Sequence, residues 1–232
     1  MQQGNPKLLV LGYDPGGRHS ADHERGTGAA IIRVDTDNRK SAIVAPPDKY
    51  GVDAIFAWFV EKTRAEAPVK AAGIDTLLSW SSCASGLRPM DCCLKLIYRE
   101  AQKSVQASNS LSGAMAVQGM AMAIRLRREW PGIILNETHP KVQYYAERKQ
   151  LYNYKNKDGI EMNDWLRREM GCHPFPPLST PHQWDALYSA WVTLQAVRQE
   201  CAPDLLELAG SRDTLLFPAG PVHYYWLWPF DA

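Results

Sequence analysis

The sequence predicts one α/β domain, a five-stranded mixed sheet with helices on both faces. Three observations carry that prediction. Five short apolar runs are interspersed with amphipathic stretches, the first three in succession and the last two each after a helix-like segment. The 232 residues suit one domain with a modest insertion, and 45% hydrophobic content supplies a core. No apolar run approaches the ~20 residues of a membrane span. The opening MQQGNPK also lacks a basic-then-apolar signal layout. A cytoplasmic chain with no membrane partner is therefore expected.

LLVLGYD (residues 8–14) is a continuous apolar run that breaks into Pro-Gly-Gly, the pattern of a buried strand entering a tight loop. GTGAAIIRVD (26–35) and KSAIVAPP (40–47) flank the turn formers Asp35, Asp37 and Asn38, so the first three strands should be antiparallel neighbours. A helix is predicted over residues 50–66, where Val52, Ile55, Phe56, Phe59 and Val60 recur at helical spacing. Pro68 stops it, and VKAAGID (69–75) is the fourth strand, parallel to its partner after a right-handed crossover.

Residues 79–110 are the least regular stretch, an insertion with a helix over about 90–107. A helix over 112–130 ends in Arg125, Arg127 and Arg128, a placement the helix dipole favours by itself. GIILNE (132–137) is the fifth strand. Helices follow near 140–148 and 161–170, and a last one after Pro181 has Trp184, Leu187, Ala190, Trp191 and Leu194 as its apolar face. This β-β-β-α-β-α-β-α order is the layout of a ribonuclease H-like fold, with the first strand central and the fourth beside it. The domain should span residues 1–210. The aromatic, proline-rich extension at 211–232 packs either on it or on a partner, a second copy included.

Net charge is +1, so any nucleic-acid footprint must be local. Five cysteines without CxxC spacing read as reduced thiols, and Cys172, His173 and the Cys92–Cys93 pair lack zinc-ligand spacing. The chemistry lies in four acids. Asp14, Asp75 and Glu137 each close a strand, and Asp185 falls early in the last helix. Strand ends gathered at one sheet edge would bring these carboxylates together, and their repulsion is relieved by a divalent cation. Asp14, Asp75 and Asp185 are the expected ligands. The oxygen donor set suits Mg²⁺ or Mn²⁺, and a pair of such ions suits in-line phosphoryl displacement. Glu137 could be a ligand, a water-orienting group or a helix cap. His182 shares a helical face with Asp185 and joins the catalytic set.

LGYDPGG, then GIDTLLSW with Arg88-Pro-Met-Asp91, then NETHP, then HQWDALYSAW are similar to the signatures of the domain of unknown function 429 family. Its members are regarded as predicted nucleases of the ribonuclease H-like superfamily. The resemblance spans residues 8–197. It implies that Asp14, Asp75 and Asp185 are metal-binding acids, that Glu137 and His139 form a Glu-x-x-Pro-type element, and that Arg88 and Asp91 form an Arg-x-x-Asp element. After Asp75 this chain has Thr-Leu-Leu-Ser where the family often has an Ala-Pro-Leu-Gly-like turn.

The expected function is therefore a metal-dependent nuclease acting on DNA or RNA. The alternative is an inert ribonuclease H-like module that binds nucleic acid or protein within a larger complex. Lys149, Tyr152, Tyr154, Lys155 and Lys157 interleave basic and aromatic residues as a nucleic-acid contact, and Arg88 completes that set.

Overall fold

The strands of a mixed sheet buried on two sides should be apolar on both faces, and the first strand shows how this chain meets that demand. In the computed structural model, which describes residues 6–16, 26–48, 51–107, 113–154, 157–199, 202–207 and 214–229, β1 (Pro6–Asp14) is the central strand. Leu9, Leu11 and Tyr13 point into one half of the core. Val10 points into the other. The alternation is that of any strand, with both sides apolar.

β2 (Gly28–Asp35) pairs antiparallel with β1, and β3 (Lys40–Val44) antiparallel with β2. Helix α1 (Val52–Thr63) then crosses to β4 (Val69–Ile74), which runs parallel to β1. The insertion contains β5 (Trp80–Ser81), α2 (Pro89–Ile97) and a 3-10 turn over Arg99–Ser104. It is more ordered than its composition suggests, and the predicted helix over 90–107 is two pieces. Tyr98, at φ −108° and ψ 59°, leaves the helical basin and separates them. Helix α3 (Gly113–Glu129) leads to β6 (Ile134–Glu137), parallel to β4. Then come α4 (Pro140–Arg148), α5 (Lys157–Met170), α6 (Pro181–Arg198) and β7 (Leu215–Leu216). The sheet order is β3-β2-β1-β4-β6.

One face is covered by α1, α2 and α3, where Ile55, Phe59, Met90, Leu94, Met122 and Leu126 meet the sheet. The other is covered by α6, backed by α5, through Leu187, Tyr188, Val192, Leu166 and Met170. Helix α6 is buried along residues 183–194, well beyond the single apolar face expected of it. The C-terminal extension packs on its own domain. Tyr224 and Trp226 are fully buried in the main core, and β7 pairs with β5.

The extension also covers an edge. His223 accepts from Glu137 N at 2.7 Å and donates its own N–H to Leu135 O at 2.9 Å, along the outer side of β6. At the opposite edge, His173 N donates to Lys40 O at 2.8 Å and Ala42 N to Pro174 O at 3.3 Å. Bare strand edges template unwanted pairing, and both edges here are occupied. Among the described residues, no helix is long and apolar enough to cross a membrane.

Candidate metal centre

Because β1 and β4 are parallel neighbours, their carboxyl ends share one edge, the usual place for a site in an open α/β sheet. The Asp75 amide donates to Tyr13 O at 2.8 Å, which carries the ladder one residue past β4 and sets Asp75 beside Asp14. Asp185 arrives from α6. Oxygens of Asp14, Asp75 and Asp185 all lie within 4.8 Å of one another, as the sequence predicts.

What brings α6 so close is three glycines on three adjacent strands. A Cβ on Gly28 would lie 1.8 Å from His182 O, one on Gly12 1.9 Å from Ala186 O, and one on Gly73 2.3 Å from Ser189 O. The helix backbone therefore rests on the sheet backbone. Gly28 pairs with Asp14 across the β1–β2 ladder, so the seat under His182 adjoins the acid that His182 contacts. The helix opens with Thr180 as N-cap, its hydroxyl accepting from Gln183 N at 3.1 Å, and Pro181 in the first turn. Asp185 is thus the fifth helical residue, beyond the first turn, and a dipole preference does not explain it.

Asp14 is 2% exposed, and its two oxygens have separate tasks. Oδ1 accepts from Gly16 N at 3.0 Å, a turn-forming bond, while Oδ2 lies 2.7 Å from His182 Nδ1. Burial, then the charges of Asp14 and Asp185, hold the Asp75 carboxyl well above the usual carboxylate range. Asp185 is pushed up to about 7, first by burial and then by Asp14. Its Oδ1 is buried without a hydrogen-bond partner, and so is Tyr152 Oη. The two groups feel each other electrostatically, yet they miss hydrogen-bonding geometry. Three clustered acids, two of them with raised pKa and one with an orphaned oxygen, form a hard-donor set that fits Mg²⁺ or Mn²⁺.

Lys141 is the residue that sequence reasoning missed. It stands in the first turn of α4, where a cation opposes the helix dipole, and that misplacement was its available signal. The carboxylates of Asp185, Asp75 and Asp14 raise its pKa, and its ammonium sits 5.5 Å over the Tyr152 ring.

Glu137 is not brought to the triad, which corrects its expected catalytic place. Its carboxylate turns into the core and is gripped by Arg88, through Nη2 to Oε1 at 2.6 Å and Nη1 to Oε2 at 2.8 Å. Leu78 N adds a bond to Oε2 at 2.8 Å. Arg88 is 0% exposed. Its remaining donors go to Asp91 Oδ1 and Oδ2, both at 2.9 Å, and to Ser79 Oγ at 2.8 Å. All its guanidinium N–H groups are thereby engaged, so Arg88 is a buried clamp and no nucleic-acid contact. The Arg-x-x-Asp pattern caps the start of α2 with half of a capping box, Asp91 accepting from Arg88 N at 3.2 Å, since a guanidinium cannot accept the reciprocal bond.

His139 is half-buried, with both ring nitrogens engaged. Nε2 donates to Ser104 O at 3.0 Å, which leaves Nδ1 to accept from Tyr224 Oη at 3.3 Å. Burial lowers its pKa to about 4.

The remaining nucleic-acid residues do not form the expected stacking platform. Tyr152 and Tyr154 are half-buried around Trp184, at ring-centroid distances of 5.5 and 6.5 Å, in a cluster that includes Tyr144, Trp165 and Tyr188. They serve as packing. Lys149 closes α4 in the left-handed region at φ 54°, with its ammonium 5.5 Å over the Tyr98 ring. Lys155 lies outside the described residues, as does the side chain of Lys157, the first residue of α5. Arg125 pairs with Asp53 and covers the Phe56 ring, so the α3 tail is partly spent on helix packing. In comparisons with protein-family models, curated proteins and solved structures, the chain gives no match.

Proposed function

We propose that this protein is a divalent-metal-dependent nuclease with a ribonuclease H-like fold, of the domain of unknown function 429 kind, hydrolysing phosphodiester bonds of DNA or RNA. The observation that carries this reading is the convergence of Asp14, Asp75 and Asp185 to within 4.8 Å. Support for the fold comes from the sheet order β3-β2-β1-β4-β6, with only β2 antiparallel to its neighbours on both sides. Three carboxylates at the ends of β1 and β4 and on the final long helix match what the sequence motifs imply.

Asp14, Asp75 and Asp185 would hold the metal. When bound, such ions neutralise charge on the attacking and departing oxygens of an in-line displacement. His182 fixes the orientation of Asp14 through its 2.7 Å contact. Lys141 keeps a positive charge beside the triad, where it can meet a substrate phosphate oxygen. The Arg88–Glu137–Asp91 clamp ties the β6 end to the α2 cap and holds the loop after β4 in place through Leu78 N.

The test is purified protein with Mn²⁺ or Mg²⁺ against a panel of single- and double-stranded DNA and RNA. Mn²⁺ should raise the melting temperature and support cleavage, and Asp75→Asn should abolish both. Identical behaviour of wild type and Asp75→Asn on every substrate would leave the inert binding module as the reading.

A further inference from the structure

A cavity of about 220 Å³ opens against Asp75, bounded by Thr76, Leu77, Met115, His139 and Lys141 among others. Pockets for drug-sized ligands run about 300–1,000 Å³, so this one has room for a single flat ring system. A duplex cannot enter it. Leu77 and the polarisable thioether of Met115 offer the kind of surface on which an aromatic face packs.

The polar groups are selective. Thr76 is 6% exposed, yet its Oγ1 has no hydrogen-bond partner. Its methyl is seated in the space left by Gly119, where a Cβ would lie 2.1 Å from Thr76 Cγ2, so the hydroxyl is held in place. His139 has both ring nitrogens committed, to Tyr224 and Ser104, and gives the cavity ring surface only. Lys141 shares the wall with Asp75, so a phosphate attached to a seated nucleoside would lie between an ammonium and the acids. A buried hydroxyl, apolar walls, a fixed ring and a cation at the triad side together describe a nucleotide.

We propose that this cavity receives one unpaired nucleobase of the strand being cut, making the substrate single-stranded or locally unpaired nucleic acid. The proposal rests on the nuclease reading and narrows its substrate class. An unpaired base is free to leave the stack, whereas a paired one must first be extruded.

The experiment measures fluorescence anisotropy of a fluorescein-labelled single strand and of the matching blunt duplex, in Ca²⁺, for wild type, Met115→Trp and Thr76→Val. A parallel thermal scan with and without Mn²⁺ reads the triad alone. Wild type should bind the single strand about tenfold more tightly than the duplex. Met115→Trp, which fills the cavity, should erase that preference, Thr76→Val should reduce it several-fold, and Mn²⁺ should still stabilise both variants. Equal binding of the two nucleic acids, no binding of either, or an undiminished preference in both variants overturns the proposal. If Mn²⁺ stabilises wild type in that case, only the cavity assignment falls. If it does not, the nuclease reading falls with it.

Discussion

Replacing Asp185 by Asn should make the metal-free protein more stable while destroying its response to metal. In the folded chain the Asp185 carboxyl is raised from 3.8 to about 7. Each pKa unit corresponds to about 1.4 kcal/mol, so ionised Asp185 costs the fold at most roughly 4 kcal/mol above neutral pH. The sign follows from proton binding. Between the unfolded and folded values the native state holds the extra proton, so stability falls as pH rises from about 4 to about 7. Asn carries no charge and escapes that loss. In EDTA at about pH 8, Asp185→Asn should melt on the order of 5–10 °C above wild type, and the gap should close near pH 4. Mn²⁺ at about a thousand times its Kd should close the gap or reverse the order, since it adds about 4.1 kcal/mol to wild type only, as much as the upper bound on that gap. Thermal denaturation followed by circular dichroism at both pH values, with and without Mn²⁺, reads all four conditions. A variant less stable than wild type in EDTA at about pH 8, or a gap independent of pH, would refute the electrostatic account of the triad.

Glu137→Gln should destabilise the protein by about 3–5 kcal/mol in urea denaturation while Mn²⁺ stabilisation persists, because the change leaves buried Arg88 short of a charge. Were Glu137 a ligand, metal response would be lost and stability little changed. His139, lowered to about 4 by burial, should cost stability as pH drops from about 6.5, because the unfolded chain takes up its proton first. His139→Gln should remove up to about 3 kcal/mol of that acid-limb loss, seen as a flatter fall in melting temperature below about pH 6.

The sheet was legible because continuous apolar runs of strand length leave few alternatives, and their order sets which ends adjoin. Asp14 and Asp75 followed directly from that topology, each being an acid at the end of an apolar run. Glu137 looks the same in sequence, yet it has a different fate. Its partner Arg88 is 49 residues away, and nothing local to Asn136-Glu137-Thr138 says which way the side chain turns. Tyr152 and Tyr154 were misread for a related reason. Basic residues around them suggested a surface loop, whereas Trp184, thirty residues on, draws both rings inward. Lys141 carried a signal that is visible only when a residue's disagreement with its helix position is taken as information.

Gly12, Gly28 and Gly73 have a mechanical consequence. They pin one ridge of α6, at His182, Ala186 and Ser189, to β2, β1 and β4 in turn, so that helix and three strands move as a single beam. Asp14 and Asp185 are mounted on that beam, and Asp75 follows directly on its β4 member. Thermal twisting of the sheet therefore carries all three carboxylates together and leaves their separations alone. An incoming cation would meet ligands already in place and would do no work to assemble them. The tolerance of the centre is set by three positions that have no side chain at all.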